Sequence, residues 1–354
     1  MPERKTATGD KSFLPWVQAL RAFAALCVAF VHIAHDDIAN GADPDGIFKA
    51  ITTFFPWDAG VDIFFVISGF VIVHASAKLF AAPGGPKAFL RRRLTRIVPL
   101  YWIMTTAFVA VLCLNRAEIH GDIGGPEFLA ASYLFIPWKR PDGVMQPAFG
   151  LGWTLNYEMF FYAVFAPFLL LARPYAVAGL ALLFGALVVF RADFAMPQLV
   201  FWSDPIILEF VFGMIIALLA ARSVTLPLAL RAGLIGGAIV AFHYNAAGHG
   251  LRPVIYGLPA ACLVACAVLT PAEKTFSMPE RFLIRLGDAS YGMYLVHPFV
   301  MRLFSTLWQK IHAQNEILGT IYVLAGLAVA QMCALIINAT LERRTLLWLR
   351  GTRG

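Results

Sequence analysis

The feature that most constrains this chain is a series of apolar runs, close to the roughly 17 to 25 residues that a helix needs to cross a bilayer. In hydrocarbon every main-chain N–H and C=O must be satisfied within its own segment, so runs of this kind fold as helices. Candidate spans are 14–34, 60–78, 97–114, 152–172, 175–190, 204–221, 230–246, 253–270, 289–309 and 317–340. Only 14% of residues are charged, where a soluble domain carries about a quarter. The sequence therefore predicts an all-α integral membrane protein of about ten transmembrane helices around a central cavity. It is expected to be one polytopic domain over residues 1–354, without an additional soluble domain. The first run carries Arg21 and His32 and is read as a retained span rather than a signal peptide.

The basic residues orient these spans. With the N-terminus in the cytoplasm, the inner segments hold 19 Lys and Arg and the outer ones seven, while Arg21 and Arg302 fall inside spans. Such a bias places both termini inside, in the inner (plasma) membrane. The net charge of +7 is then largely a topology signal and requires no nucleic-acid partner. The five cysteines sit in apolar segments without metal-ligand spacing, which argues against a zinc site or a disulfide framework.

Ten apolar residues separate Arg21 from His32. Eleven helical steps make three turns and about 20°, so both side chains lie on one face, about 16 Å apart along the axis. Charges inside spans are costly and face protein-lined cavities. Sorted by depth, Arg21, the cluster Arg91–Arg96, Ser290 and Tyr291 form an inner layer. His32, Asp36, Asp62 and Glu158 form an outer one. Arg93 and Arg96 stand at i,i+3, able to converge on one anion, whereas Arg91 and Arg92 suit a positive-inside anchor. Asp36, at i+4 from His32, can orient its ring. Glu158 can support His32 or pair with Arg21 or Arg302. Asp62 stands where it can cap the second span, which begins near Gly60. His35 points away from His32, and the Ser68–Gly69 pair lets helices approach closely.

Two polar layers fit a donor with an anionic end in the cytoplasm and a reactive end further out. An acyl-coenzyme A has that form. Its phosphates suit the arginines, and a histidine could take the proton from a hydroxyl attacking the thioester.

At these residues the sequence resembles the membrane acyltransferase-3 family, specifically its polysaccharide O-acetyltransferase branch. The likeness is carried by "LRAFAALCVAFVH", "GVDIFFVISGF", "RRRLTRIVPLYW", "WTLNYEMFFY" and "LGDASYGMYLVHPF", in that order, with Thr154 where the family usually has serine. The resemblance implies transfer of an acyl group, most simply acetyl, from cytoplasmic acyl-CoA to a cell-surface or exported glycan or lipid-linked saccharide. On that reading His32, Glu158 and Asp36 are catalytic. Arg21, Arg93, Arg96, Ser290 and Tyr291 hold the donor, while Asp62, Trp153, Tyr162 and His297 meet the acceptor. Acyl-CoA is then a co-substrate, and no tightly bound cofactor or metal is expected. The competing class is a transporter or flippase for lipid-linked sugars, although no paired broken spans mark repeated halves.

Overall fold

The computed structural model describes residues 14–39, 47–114, 124–140, 142–245, 250–271, 277–311 and 316–342. Among these residues there are fourteen α-helices and no strand, only an isolated bridge between Lys139 and Met145. In chain order the helices are α1 (Pro15–Ala39), α2 (Ile47–Phe54), α3 (Gly60–Ala75), α4 (Gly85–Leu114), α5 (Pro126–Tyr133), α6 (Trp153–Phe168) and α7 (Arg173–Val189). They continue with α8 (Pro197–Trp202), α9 (Leu208–Ala221), α10 (Leu228–Tyr244), α11 (Leu258–Val268), α12 (Met278–Asp288), α13 (Ser290–Ile311) and α14 (Glu316–Ile337).

Each expected span lies on a helix, but the lengths differ from a uniform set of ten. Four helical segments, Pro15–Ala39, Trp57–Ala75, Gly85–Leu114 and Ile317–Leu341, are long and apolar enough to cross a membrane. Four more apolar helices, Arg173–Val189, Pro205–Ala221, Leu228–Tyr244 and Pro253–Val268, have 10–17 residues. By length and composition, four helices among the described residues are therefore long enough to cross a membrane. Within those lengths, Pro205–Ala221 opens with a 3₁₀ turn at Pro205–Ile207 and Pro253–Val268 opens with a π turn at Pro253–Gly257.

The helices meet where small residues let their backbones touch. A Cβ on Gly69 of α3 would lie 2.1 Å from the Phe210 carbonyl oxygen of α9, and one on Gly213 would lie 2.0 Å from that of Val66. The α3–α9 pair is accordingly the most extensive helix contact. Gly69 makes the expected close approach, while Ser68 faces a cavity. Beside the seam Phe161 of α6 stacks on Phe210 at 4.3 Å between centroids and meets Phe184 of α7 at 5.9 Å. On the other side, α1 packs against α3, α12, α13 and α14. Gly287 of α12 comes so near that its Cβ would sit 2.0 Å from the Gln18 carbonyl oxygen of α1.

Candidate active site

A cavity of about 110 Å³ lies where α1, α3, α4, α6 and α13 meet. Arg21 enters it from α1, and Arg93 and Arg96 enter from α4. Arg21 is braced by its own helix, with Nη1 donating to Gln18 Oε1 at 3.2 Å. The Arg93 guanidinium rests over the Phe89 ring at 5.8 Å and is half-buried, whereas Arg96 is exposed. Three permanent cations on one cavity offer forked donors to an anion such as a phosphate.

Glu158 shares this cavity. Its Oε1 accepts hydrogen bonds from Ser68 Oγ at 2.9 Å and from the Tyr162 hydroxyl. Arg93 lies within electrostatic reach of both Glu158 and Tyr162. Glu158 therefore belongs with the cationic layer and not, as its place in the sequence suggested, with His32. The reason is where α4 begins. Its first residue is Gly85, so Arg93 lies eight residues, about 12 Å, inside the helix and meets Glu158 at depth.

The first residue of α13 is Ser290, fully buried on the cavity, with an Oγ that makes no hydrogen bond to the described residues. Tyr291, beside it, donates from its hydroxyl to the Ile97 carbonyl oxygen at 2.9 Å. The cavity ends at Tyr294, whose hydroxyl donates to the Leu151 carbonyl oxygen at 3.0 Å and pairs with Thr154 Oγ1 at 2.9 Å. On its far side the Tyr294 ring stands edge-on to His297, 6.1 Å between centroids.

Beyond Tyr294 lie two histidines. His32 Nδ1 is 3.0 Å from His297 Nε2, with the rings stacked at 5.2 Å and 10° between planes. His32 is half-buried, and His297 is fully buried. The expected support from Asp36 is absent, because that carboxylate instead accepts from the Tyr322 hydroxyl of α14. A partner 286 residues away decides its direction. His35 is exposed, as its position on α1 predicts.

Asp62 does not cap the helix and does not line the cavity. No side-chain cap bond closes the start of α3, and the Asp62 carboxylate is fully buried. It takes a bidentate contact from Arg252, with Nε at 2.9 Å and Nη2 at 2.8 Å. Glu209, also fully buried, stands within electrostatic reach of both. The sequence reading left Arg252 in an outer loop and passed over Glu209, although a carboxylate within "ILEFVFG" was itself a signal. Trp153 is half-buried at the start of α6, edge-on to Tyr157 at 6.0 Å, and does not line the cavity. Tyr162 does line it, bonded to Glu158, as do Ser68 and Thr154, to which the sequence assigned no role.

Apolar helices surround a basic, carboxylate-bearing cavity close to a histidine pair, and the comparisons establish the class of the protein as an acyltransferase of a membrane family. The family described as the acyltransferase domain matches residues 14–339, and the chain belongs to this acyltransferase-3 family. Similar proteins include the exopolysaccharide production protein ExoZ of Rhizobium meliloti, 35% identical over 69% of this chain and 76% of its own length. Acyltransferase MdmB of Streptomyces mycarofaciens is 27% identical over 82% of this chain and 79% of its own. The putative peptidoglycan O-acetyltransferase YrhL of Bacillus subtilis is 27% identical over 86% of this chain, which spans about half of that relative (51%). No solved structure matches the chain.

Proposed function

We propose that the enzyme moves an acyl group, most simply acetyl, from cytoplasmic acyl-CoA to a hydroxyl of a cell-surface or exported glycan. The observation that carries this reading is the convergence of Arg21, Arg93 and Arg96 on one cavity, with His32 three turns further along the face of α1 that presents Arg21. The arginines would hold donor phosphates. The pantetheine arm would carry the thioester past Tyr294 toward the histidines. There His32 takes the proton of the attacking hydroxyl. The oxygen bonds to the thioester carbonyl carbon, the C–S bond breaks, and the sulfur leaves with the electron pair and is protonated as coenzyme A.

Support for the acceptor comes from the relatives' names, which concern exopolysaccharide production and peptidoglycan O-acetylation. With about ten crossings, the bias of 19 inner against seven outer basic residues favours cytoplasmic termini in the inner membrane. The transporter alternative gains nothing from the comparisons, which return an acyltransferase family. The test is coenzyme A release by purified protein given acetyl-CoA, with and without the producing organism's glycan. Release that depends on glycan and leaves it acetylated is expected. Failure to release coenzyme A from any acyl-CoA, with native glycan present, would overturn the proposal.

A further inference from the structure

The segment Leu295–Phe299 reads "LVHPF", with His297 immediately before a proline inside α13. Pro298 has no N–H, so the carbonyl of Tyr294, its partner four residues back, is left without its helical donor. The His297 ring turns its Nδ1 toward this part of the helix. It lies 3.1 Å from the Met293 carbonyl oxygen and also interacts with that of Tyr294.

A carbonyl oxygen can only accept, so Nδ1 of His297 carries the proton. In a neutral imidazole the other nitrogen is then a bare acceptor. That nitrogen, Nε2, is the atom 3.0 Å from His32 Nδ1. His32 must therefore donate from Nδ1, and its own Nε2 is left unprotonated. His32 makes no other hydrogen bond among the described residues. The whole chain of donors thus runs from α1 into α13 and ends on main-chain carbonyls. Its free end is one lone pair on one atom.

We infer that His297 is a positioning residue that holds His32 in its Nδ1–H tautomer, so that Nε2 is the atom that accepts the proton of the attacking hydroxyl. This rests on the acyl-transfer reading for its consequence, but not for its geometry. As the hydroxyl oxygen bonds to the carbonyl carbon, its proton passes to His32 Nε2. His32 becomes an imidazolium whose Nδ1–H is already held by the His297 lone pair. The C–S electron pair leaves on sulfur, and the same proton, released from His32, can complete coenzyme A. The partner here is a neutral ring, not a carboxylate. It orients the base and accepts a hydrogen bond without fixing a negative charge beside it.

Two variants separate this role from simple packing. His297→Leu fills the buried site without an acceptor, whereas His297→Gln can place an amide oxygen near the position of Nε2. His297→Leu should lower kcat by about 10²-fold, the lower end of what losing a general base costs. Coenzyme A affinity should be nearly unchanged, and His297→Gln should recover at least about tenfold of that loss. Independently, ¹⁵N spectra of histidine-labelled protein, with His32 assigned by its loss in His32→Ala, should show Nδ1–H and a bare Nε2 in the wild type. In His297→Leu that preference should weaken. A wild-type His32 protonated at Nε2, or a tautomer unaltered by His297→Leu, would overturn the inference whether or not the protein transfers acyl groups. Equal kcat in His297→Leu and wild type would do the same. An Nδ1–H tautomer in a protein that never releases coenzyme A would instead sink the functional reading and leave the pairing intact.

Discussion

Arg252 grips Asp62 through two nitrogens, Nε at 2.9 Å and Nη2 at 2.8 Å, and thereby ties the start of the π turn that leads into α11 to the first turn of α3. The carboxylate is fully buried, and so is Glu209, while the guanidinium also lies over the Tyr256 ring at 5.5 Å. Removing one member of a buried pair strands the other, typically at 3–5 kcal/mol. Arg252→Ala should therefore cost about 3 kcal/mol, toward the lower end because the arginine is itself a third exposed (32%). Adding Asp62→Asn and Glu209→Gln should restore part of this loss, since neutral amides need no counter-cation. Thermal unfolding in detergent checks both. An Arg252→Ala protein melting with the wild type would show that the pair contributes nothing.

The α3–α9 seam makes a second, purely steric prediction. A methyl at Gly69 would meet the Phe210 main chain at 2.1 Å, and backbone cannot step aside as a flexible side chain does. Gly69→Ala should destabilise by at least the roughly 1–3 kcal/mol of an overpacked core, and Gly213→Ala similarly. Gly236 of α10 is the control, because nothing lies within 4 Å of its would-be Cβ. Gly236→Ala should be neutral or stabilising by up to about 1 kcal/mol, as alanine is the better helix former. Melting curves of the three variants decide this. Equal melting temperatures for Gly69→Ala and Gly236→Ala would refute the close approach.

The donor site predicts unequal arginines. Charge-assisted bonds to an anion are typically worth ~1.5–3 kcal/mol each, or about ten- to a hundredfold in affinity. Arg93, half-buried beside Glu158, should show the full effect on coenzyme A binding when replaced by alanine. Arg96 is exposed and screened, so Arg96→Ala should cost less than about tenfold. Arg91 is exposed and away from the cavity, and its loss should matter little. Calorimetric titration with coenzyme A measures all three. Unchanged affinity in Arg93→Ala would remove the anion site from this cavity.

What could be read in advance was what a helical period encodes. Eleven residues put Arg21 and His32 on one face of α1, and three residues brought Arg93 and Arg96 to one cavity. Partners across the bundle could not be read, because periodicity names a face and not what faces it. His32 meets His297 at a separation of 265 residues, and Asp62 meets Arg252 at 190. Depth failed for a related reason. The start of α4 lies in "GPKAF", polar enough to resemble a loop, so the expected span begins at residue 97 and places its arginines at the mouth, whereas the helix begins at Gly85. Twelve residues of unread helix, about three turns, separate the expected start from the observed one, and Glu158 lies with the arginine cavity and not with the histidine layer.

The last prediction concerns the proton. If His32 is the general base, its loss should slow transfer and leave donor binding intact, because it does not line the arginine cavity. His32→Ala should therefore lose about 10²–10⁴-fold in kcat, with coenzyme A affinity nearly that of the wild type. His35→Ala should retain most activity, since that ring is exposed. Asp36→Asn is informative because the carboxylate is bonded to Tyr322 and not to the His32 ring. Asp36→Asn and Tyr322→Phe should then resemble each other, affecting the α1–α14 contact and thermal stability more than the rate. A rate loss in Asp36→Asn matching that of His32→Ala, at unchanged stability, would instead make the carboxylate part of the proton path. A properly inserted His32→Ala protein that still acetylated its acceptor at nearly the wild-type rate would end the case for this histidine.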